Sequence, residues 1–313
     1  MSASPINERK KETIKTGKWW SIRWWQDNKY YEDSPFSRKD VEAAFNELIN
    51  VFDAQWMLEQ KMNGTPPFWH QIAIQLVTEG PLPFQFLFEL GSNLHTARKA
   101  CLLGDIEKRL KNPKEYWEAA AFELKFLSSW IRTAHKVERN FPSGKGRHNC
   151  DFRVSKGSES VFFEIKRPWK LIARNQQIIN KIRSDFSTKL LNDDIKKEED
   201  FTSSPLSSRA EADKVFRVIR VAANDQIPKG GPGIVIVEAP YSLNESEFAL
   251  MAEKRFQGRK KYPALSAIIL IQPLFQDGKI GHNSHIVFNS QASIDIRSSP
   301  VIEPFKQHER NKK

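Results

Sequence analysis

Three side chains that could act together chemically stand close in the sequence, at Asp151, Glu164 and Lys166. The apolar runs 152–154 and 161–165 flank a Lys-Gly-Ser turn, which predicts a β-hairpin with Asp151 at the start of its first strand. Glu164 and Lys166 are two residues apart in the second strand and therefore share a face. Two carboxylates, one from each strand, offer the hard oxygen ligands that Mg²⁺ or Mn²⁺ prefers. The lysine beside them could hold a water aimed at a phosphodiester.

A second interpretation of the same residues involves no chemistry. An aspartate at the start of a strand is often a turn or cap residue. Glu164 and Lys166 could form a solvated ion pair on an edge strand, where such pairs contribute little to stability. The two interpretations differ in burial, because a carboxylate within the apolar run 161–165 is costly to bury without a partner.

The spacing of these residues resembles the signature of the PD-(D/E)XK nuclease superfamily. The match consists of Asp151, twelve intervening residues and then Glu164-Ile165-Lys166. The proline that would precede the aspartate is missing, and Asn149-Cys150 stands in its place. The resemblance implies a restriction-endonuclease-like α/β fold, with Asp151, Glu164 and the backbone carbonyl of Ile165 as metal ligands. It also implies that Lys166 positions the nucleophile and offsets charge on the phosphate.

Members of this superfamily usually carry a further carboxylate on the helix that precedes the first strand. The segment that begins at Pro113 supplies two candidates, and Glu118 fits better than Glu123, which stays in reserve. With this helix and the elements that follow, the resemblance covers roughly residues 114–290. It implies an Mg²⁺-dependent endonuclease that acts on DNA rather than RNA.

The charge of the chain agrees with a nucleic-acid partner. The formal net charge is +11, and such a surplus favours association with polyanions through the release of counterions. The loop predicted over 142–148 is basic, and Lys145 and Arg147 are expected to contact the phosphate backbone there. Arg167 and Lys170, directly after the predicted site, are expected to do the same. The loop could equally be an ordinary solvated hairpin loop.

Composition bounds the class of protein. At 313 residues with 39% hydrophobic content the chain can bury a substantial core. The sequence has no apolar run long enough to span a membrane, and the polar segment 1–18 predicts no signal peptide. Cys101 and Cys150 are the only cysteines, which favours a reducing, cytoplasmic location and no structural zinc.

Four domains or segments are predicted. Residues 1–36 form a basic arm with four tryptophans, which either pack on the body, stack on bases or bind a partner. Residues 37–112 form an all-helical extension, in which helices are expected over 37–62 and 69–78. Residues 113–295 form the nuclease-like domain, and residues 296–313 form a basic tail that is expected to be disordered over 306–313.

The predicted nuclease-like domain alternates helices with apolar strands. A capping box opens a helix over 208–224, the runs 234–237 and 264–271 are strands, 244–257 is helical, and 285–288 adds an edge strand. Uninterrupted apolar strands of this kind are buried on both faces. The sequence therefore predicts a central mixed β-sheet flanked by helices, with basic helices over 171–198 as an insertion.

Several functions and partners stay open at this point. The main alternative is a non-catalytic nucleic-acid-binding or assembly subunit that retains the nuclease fold. No sequence-reading motif is evident, so target choice is expected from a protein partner, and a homodimer is also open. A bacterial defence or mobile-element system is the expected context, which is an inference from the family resemblance alone.

Overall fold

The computed structural model describes residues 36–62, 70–78, 80–112, 116–145, 148–168, 208–240, 243–258, 262–276 and 279–310. The chain divides into two compact units, Met1–Ala134 and His135–Lys313. The tryptophan-rich arm, the basic helices predicted over 171–198 and the last three residues lie outside the described ranges.

The described part of the first unit is helical, as predicted. Its helices, in chain order, are α1 (Arg38–Val51), α2 (Ala54–Met62), α3 (Gln71–Val77), α4 (Pro81–Lys99), α5 (Ile106–Leu110) and α6 (Tyr116–Arg132). Helix α4 lies directly on α1: a Cβ atom added to Gly91 would lie 2.2 Å from the carbonyl oxygen of Ala44, so only glycine permits this approach. Helices α4 and α5 both pack against α6.

The single helix predicted over 37–62 is wrong, because the segment forms two helices, α1 and α2. The chain leaves the helical conformation at Phe52, and the Asp53 carboxylate then accepts a hydrogen bond of 2.9 Å from the Trp56 backbone N–H. This is the arrangement of an N-cap, so Asp53 begins a second helix instead of continuing the first. Val41, Phe45 and Leu48, which lie at helical spacing in α1, are buried.

The second unit is built on one sheet. Its strands, in chain order, are β1 (Lys136–Lys145), β2 (His148–Lys156), β3 (Glu159–Lys166), β4 (Gly233–Glu238), β5 (Leu265–Gln276) and β6 (Lys279–Phe288). The six strands lie in the sheet in their chain order. Strand β3 pairs with β4 and β4 with β5 in parallel, whereas the other pairs are antiparallel. The predicted mixed sheet is therefore confirmed.

In the described part of this unit, three helices pack on the sheet, namely α7 (Ser208–Asp225), α8 (Glu245–Phe256) and α9 (Glu303–Arg310). The apolar sides of α7 and α8 form one core cluster with Val235 and Val237 of β4. On the opposite face Phe305 of α9 stacks near Phe163, with 6.3 Å between ring centroids. All six residues of β4 are buried, so this strand is covered on both faces as its apolar run predicted. The second unit is thus an α/β fold with helices around a mixed sheet.

Two further expectations are corrected by the structure. The predicted loop 142–148 is largely strand, because β1 continues to Lys145 and β2 begins at His148. The expected disorder over 306–313 is also wrong as far as Arg310, because these residues belong to α9, in which Phe305 is buried. Helix α6 packs against α4 and α5, and the two compact units divide after Ala134.

Candidate metal and phosphodiester site

The β2–β3 hairpin brings two of the predicted site residues face to face. Its pairing runs from Lys156 opposite Glu159 to Phe152 opposite Phe163. The turn between them is Gly157-Ser158, and Gly157 has a φ of +63°, which glycine adopts without strain. One further step in this register places Asp151 opposite Glu164. The predicted hairpin is therefore confirmed.

Beyond Phe152 and Phe163 the two strands are joined through the carboxylates themselves. The backbone N–H of Asp151 donates to Oε2 of Glu164 at 3.1 Å. In return, the backbone N–H of Ile165 donates to Oδ2 of Asp151 at 2.7 Å. Because backbone N–H donors hold both carboxylates, the two side chains are fixed relative to each other and to the sheet.

Lys166 completes the group on the same strand. Its ammonium donates to Oε1 of Glu164, whose side chain is fully buried, while the Lys166 side chain keeps 26% of its surface exposed. The structure thus brings Asp151, Glu164 and Lys166 together in one cluster, as the hairpin pattern predicted. A solvated pair on an edge strand does not describe this arrangement, since β3 lies between β2 and β4.

The register with β4 shows which face of the sheet carries the cluster. Glu164 lies opposite Val235 and Lys166 opposite Val237. Residues directly opposite on neighbouring strands point to the same face. Glu164 and Lys166 therefore lie on the same face of the sheet as Val235 and Val237, and this is the face on which α7 and α8 pack.

Cys150 lies directly beside the carboxylates and was not predicted to have a role there. Its thiol is fully buried, and its Sγ lies 3.0 Å from the carbonyl oxygen of Phe163, to which it can donate. Burial, followed by the negative charges of Glu164 and Asp151, raises the pKa of this thiol far above its ordinary value. Cys150 therefore remains a neutral thiol. The apolar alternation of Cys150, Phe152 and Val154 is the sequence signal that indicates its inward position.

The residues near the cluster fit a hard divalent cation. Asp151 and Glu164 supply carboxylate oxygens, and the raised pKa of Cys150 reflects in part the negative charge that they concentrate. The described residues include no group of three or more His, Cys, Asp or Glu side chains that could hold a metal ion together. The two carboxylates and the Ile165 carbonyl would thus leave the remaining positions to water and substrate oxygens, which is usual for Mg²⁺.

Arg167 has a buried partner on the neighbouring strand. Its guanidinium forms an ion pair with Glu238 at the end of β4, and both side chains are largely buried. Arg167 follows Lys166 in the chain, so alternation directs it to the other face of the sheet. The structure thus places this predicted phosphate contact in an internal ion pair.

Lys145 is tied to the end of a helix. Its Nζ lies 3.3 Å from the carbonyl oxygen of Ala223 in the last turn of α7, where a cation is favoured by the helix dipole. Burial, together with the charge of Lys229, lowers the pKa of its ammonium. The other two predicted nucleic-acid contacts, Arg147 and Lys170, lie outside the described residues.

The two candidate helix carboxylates lie on α6, in the first unit. Glu123 is buried, and its Oε2 accepts a bond of 2.6 Å from Nη1 of Arg109. Glu118 lies in the first turn of α6 and is half-buried. Glu123 therefore serves the packing of α6, and the catalytic role expected of Glu118 stays a prediction.

Comparisons with known proteins add no family to this picture. A scan against models of protein families, a search of curated proteins and a search of solved structures each gave no match to this chain. Within the described ranges, none of the helices has both the length and the apolar character needed to cross a lipid bilayer.

Proposed function

We propose that this protein is a metal-dependent endonuclease that hydrolyses phosphodiester bonds of DNA, with a restriction-endonuclease-like second unit. The observation that carries the proposal is the cluster of Asp151, Glu164 and Lys166, in which backbone donors hold two opposed carboxylates and a lysine lies on the same face. Chemistry at a phosphodiester needs this combination of groups, a cation site and a positive donor beside it.

The order of elements supports the restriction-endonuclease-like assignment. After α6 the chain runs through β1, β2 and β3, then α7, β4, α8 and β5. The site residues lie on β2 and β3, which are both interior strands, and paired neighbours on either side limit their movement. A site built on paired strands is more rigid than one built on a loop, which suits a reaction that depends on positioning.

Each residue of the cluster has a separate task in the proposed reaction. Asp151 and Glu164, with the Ile165 carbonyl, would hold the cation. When bound, Mg²⁺ or Mn²⁺ would polarise the phosphoryl group and lower the pKa of the attacking water. The Lys166 ammonium would position that water and offset the negative charge that grows on the phosphate oxygens. Water would attack in line and form a new bond to phosphorus while the bond from phosphorus to the 3′ oxygen breaks. The water would give up a proton to solvent, and the departing 3′ oxygen would take one up.

The context and the partners of the enzyme are also proposals. The described helices of the first unit offer surfaces on which a partner protein could dock, and such a partner would supply the target. A cytoplasmic nuclease subunit of a bacterial defence or mobile-element system agrees with the net charge of +11 and with the use of only two cysteines. DNA is proposed over RNA on the family resemblance.

A non-catalytic subunit with the same fold is the second candidate, and one observation favours it. Glu164 is fully buried, and both of its carboxylate oxygens are already bonded, to the Lys166 ammonium and to the Asp151 backbone N–H. A buried carboxylate whose two oxygens are both hydrogen-bonded within the protein could be retained for structure alone. In the nuclease, a cation would displace the Lys166 ammonium from Glu164. In the non-catalytic subunit, the ion pair between Lys166 and Glu164 would stay in place.

Cleavage of plasmid DNA and of short single-stranded DNA tests the proposal. The protein is assayed with Mg²⁺, Mn²⁺ or EDTA, beside Lys166→Ala and the matched control Lys156→Ala, whose exposed lysine lies at the end of β2. We expect metal-dependent nicking by the wild type and by the control, and none by Lys166→Ala. Full cleavage by Lys166→Ala would refute the assigned site, whereas binding without cleavage by any of the three proteins would favour the non-catalytic subunit.

A further inference from the structure

The outer surface of helix α7 carries no role in the site described so far. Its inner side is apolar and packs on the sheet and on α8 through Val215, Phe216 and Ile219. Its outer side is exposed along the length of the helix. Such a surface on an 18-residue helix is usually a mixture of acidic and basic side chains.

Cations predominate on this outer side, where the acidic side chains are the half-buried Asp213 and the exposed Asp225 at the end of the helix. Its exposed cations lie at intervals of three to five residues along one side of the helix, at Arg209, Lys214, Arg217 and Arg220. Among the described residues, no ion pair is found for Lys214, Arg217 or Arg220.

Three carboxylates belong to this helix: Glu211 is buried, and Asp213 and Asp225 each have a basic side chain close by. Asp213 is half-buried and forms an ion pair with Arg255 of α8. Asp225 is the last residue of the helix and lies close to Lys145, where its negative charge favours the charged form of that ammonium. The row of cations therefore keeps a net positive charge.

The positive surface continues past the end of the helix. The Lys145 ammonium donates to the carbonyl of Ala223 in the last turn. Lys229, four residues beyond Asp225, is exposed, and it lies close enough to Lys145 for its charge to lower the pKa of that ammonium. From Arg209 to Arg220 the helix rises about 16 Å, at 1.5 Å per residue. Along one strand of B-DNA a phosphate follows about every 3.4 Å of axis, so this length spans several phosphates.

The side chains between the cations point to a duplex as the ligand. Single-stranded nucleic acids are bound through aromatic rings on which the bases stack, together with cations. Among the described side chains of α7, the exposed ones without a charge are Ala210, Val221 and Asn224, so none of these exposed side chains is an aromatic ring. Contacts limited to phosphates are typical of non-specific duplex binding.

We propose that the outer face of α7, centred on Lys214, Arg217 and Arg220, binds the sugar–phosphate backbone of a DNA duplex. Because α7 packs on the face of the sheet that carries Glu164 and Lys166, a duplex on α7 lies on the same side of the sheet as the site. The inference rests on the proposed function only for the choice of DNA as the polyanion.

The test is equilibrium binding in EDTA, so that cleavage plays no part in it. Fluorescence anisotropy with a labelled DNA duplex is measured over a series of salt concentrations for the wild type and for Lys214→Gln/Arg217→Gln/Arg220→Gln. Each phosphate contact contributes about 0.9 to the slope of log K against log salt. The triple variant should therefore lower that slope by about 2.7 and weaken binding at least tenfold near 0.1 M salt, if each cation contacts one phosphate.

A control variant that loses the same number of positive charges distinguishes the loss of a binding surface on α7 from a general effect of lower net charge. Lys39→Gln/Lys99→Gln/Lys108→Gln removes three exposed cations from the first unit and should leave the slope unchanged. An equal loss in both triple variants, or none in the α7 variant, would overturn the inference. A similar loss for a single strand, or tighter binding of an RNA duplex than of DNA, would overturn the choice of ligand. Binding that depends on α7 without any cleavage in Mg²⁺ would support this surface while removing the proposed nuclease activity.

Discussion

The substitution Asp151→Asn separates a cation site from a structural cluster, because it should stabilise the metal-free protein while abolishing its response to metal. The cluster holds two carboxylates and one ammonium, and Glu164 is fully buried. Without a cation this part of the molecule keeps one uncompensated negative charge. Asparagine retains an oxygen that can accept the hydrogen bond from the Ile165 backbone N–H, now 2.7 Å from Oδ2 of Asp151.

The expected size of the effect follows from two opposing contributions. Opposed side chains on antiparallel strands lie about 5 Å apart, and like charges at that distance repel by about 3 kcal/mol at an effective dielectric constant near 20. Replacing a charged acceptor by a neutral one costs about 1 kcal/mol. Since Asp151 is half-buried, solvent reduces the repulsion, and a net stabilisation of about 1–2 kcal/mol remains. For a unit of this size that raises the melting temperature by about 2–8 °C.

Thermal unfolding of the wild type and the variant in EDTA and in Mg²⁺ provides the measurement. At a hundredfold excess of metal over Kd the wild type should gain about 2.7 kcal/mol, and Asp151→Asn should gain much less. Asp295→Asn is the matched control, because Asp295 accepts a backbone N–H of Arg297 at 2.9 Å but is exposed. Two results together would refute the reasoning: a destabilisation of Asp151→Asn in EDTA by about 2 kcal/mol or more, and a stabilisation by metal as large as that of the wild type.

Three further results are expected. Lys166→Met should destabilise the protein by about 3–5 kcal/mol in urea unfolding, because it leaves the Glu164 carboxylate buried and unpaired, and adding Glu164→Gln should restore most of that loss. The raised pKa of Cys150 keeps its thiol protonated in the folded protein above pH 9, whereas the unfolded chain loses that proton. The free energy of unfolding should therefore fall by up to about 1.4 kcal/mol per pH unit there. Cys150→Ser should remove this slope in denaturation measured from pH 8 to 10. Glu118→Gln should lower the rate of plasmid nicking, whereas Glu123→Gln should lower the melting temperature and leave nicking unchanged; the opposite pattern would exchange their roles.

Much of the second unit could be predicted because its sequence signals are local. The hairpin follows from two apolar runs around a glycine turn, and the burial of β4 follows from the uninterrupted run Ile234–Val237. The proximity of Asp151 and Glu164 needed only the hairpin register, which is set by the turn. The prediction of the α/β architecture depended on the same short-range patterns.

The contacts that were not predicted join residues distant in the sequence. Pairing of Arg167 with Glu238 and of Lys145 with Ala223 depends on how β3, β4 and α7 are placed in space, which no local pattern contains. The strand character of residues 142–145 was missed for a related reason. Proline and glycine there indicate a loop, yet Ser143 hydrogen-bonds the carbonyl of His148, which continues the link between the two strands.

The two-residue turn of the β2–β3 hairpin also limits how the site can vary between related chains. With this turn, residues that face each other across the hairpin are always an odd number of positions apart, as Phe152 and Phe163 are. Chains with a longer or shorter hairpin can keep two opposed carboxylates only if their interval changes in steps of two. Insertion of one residue between Asp151 and Glu164 would turn one carboxylate to the other face unless a β-bulge absorbed it. A single-residue insertion or deletion within this hairpin should therefore disable the site more often than a substitution does.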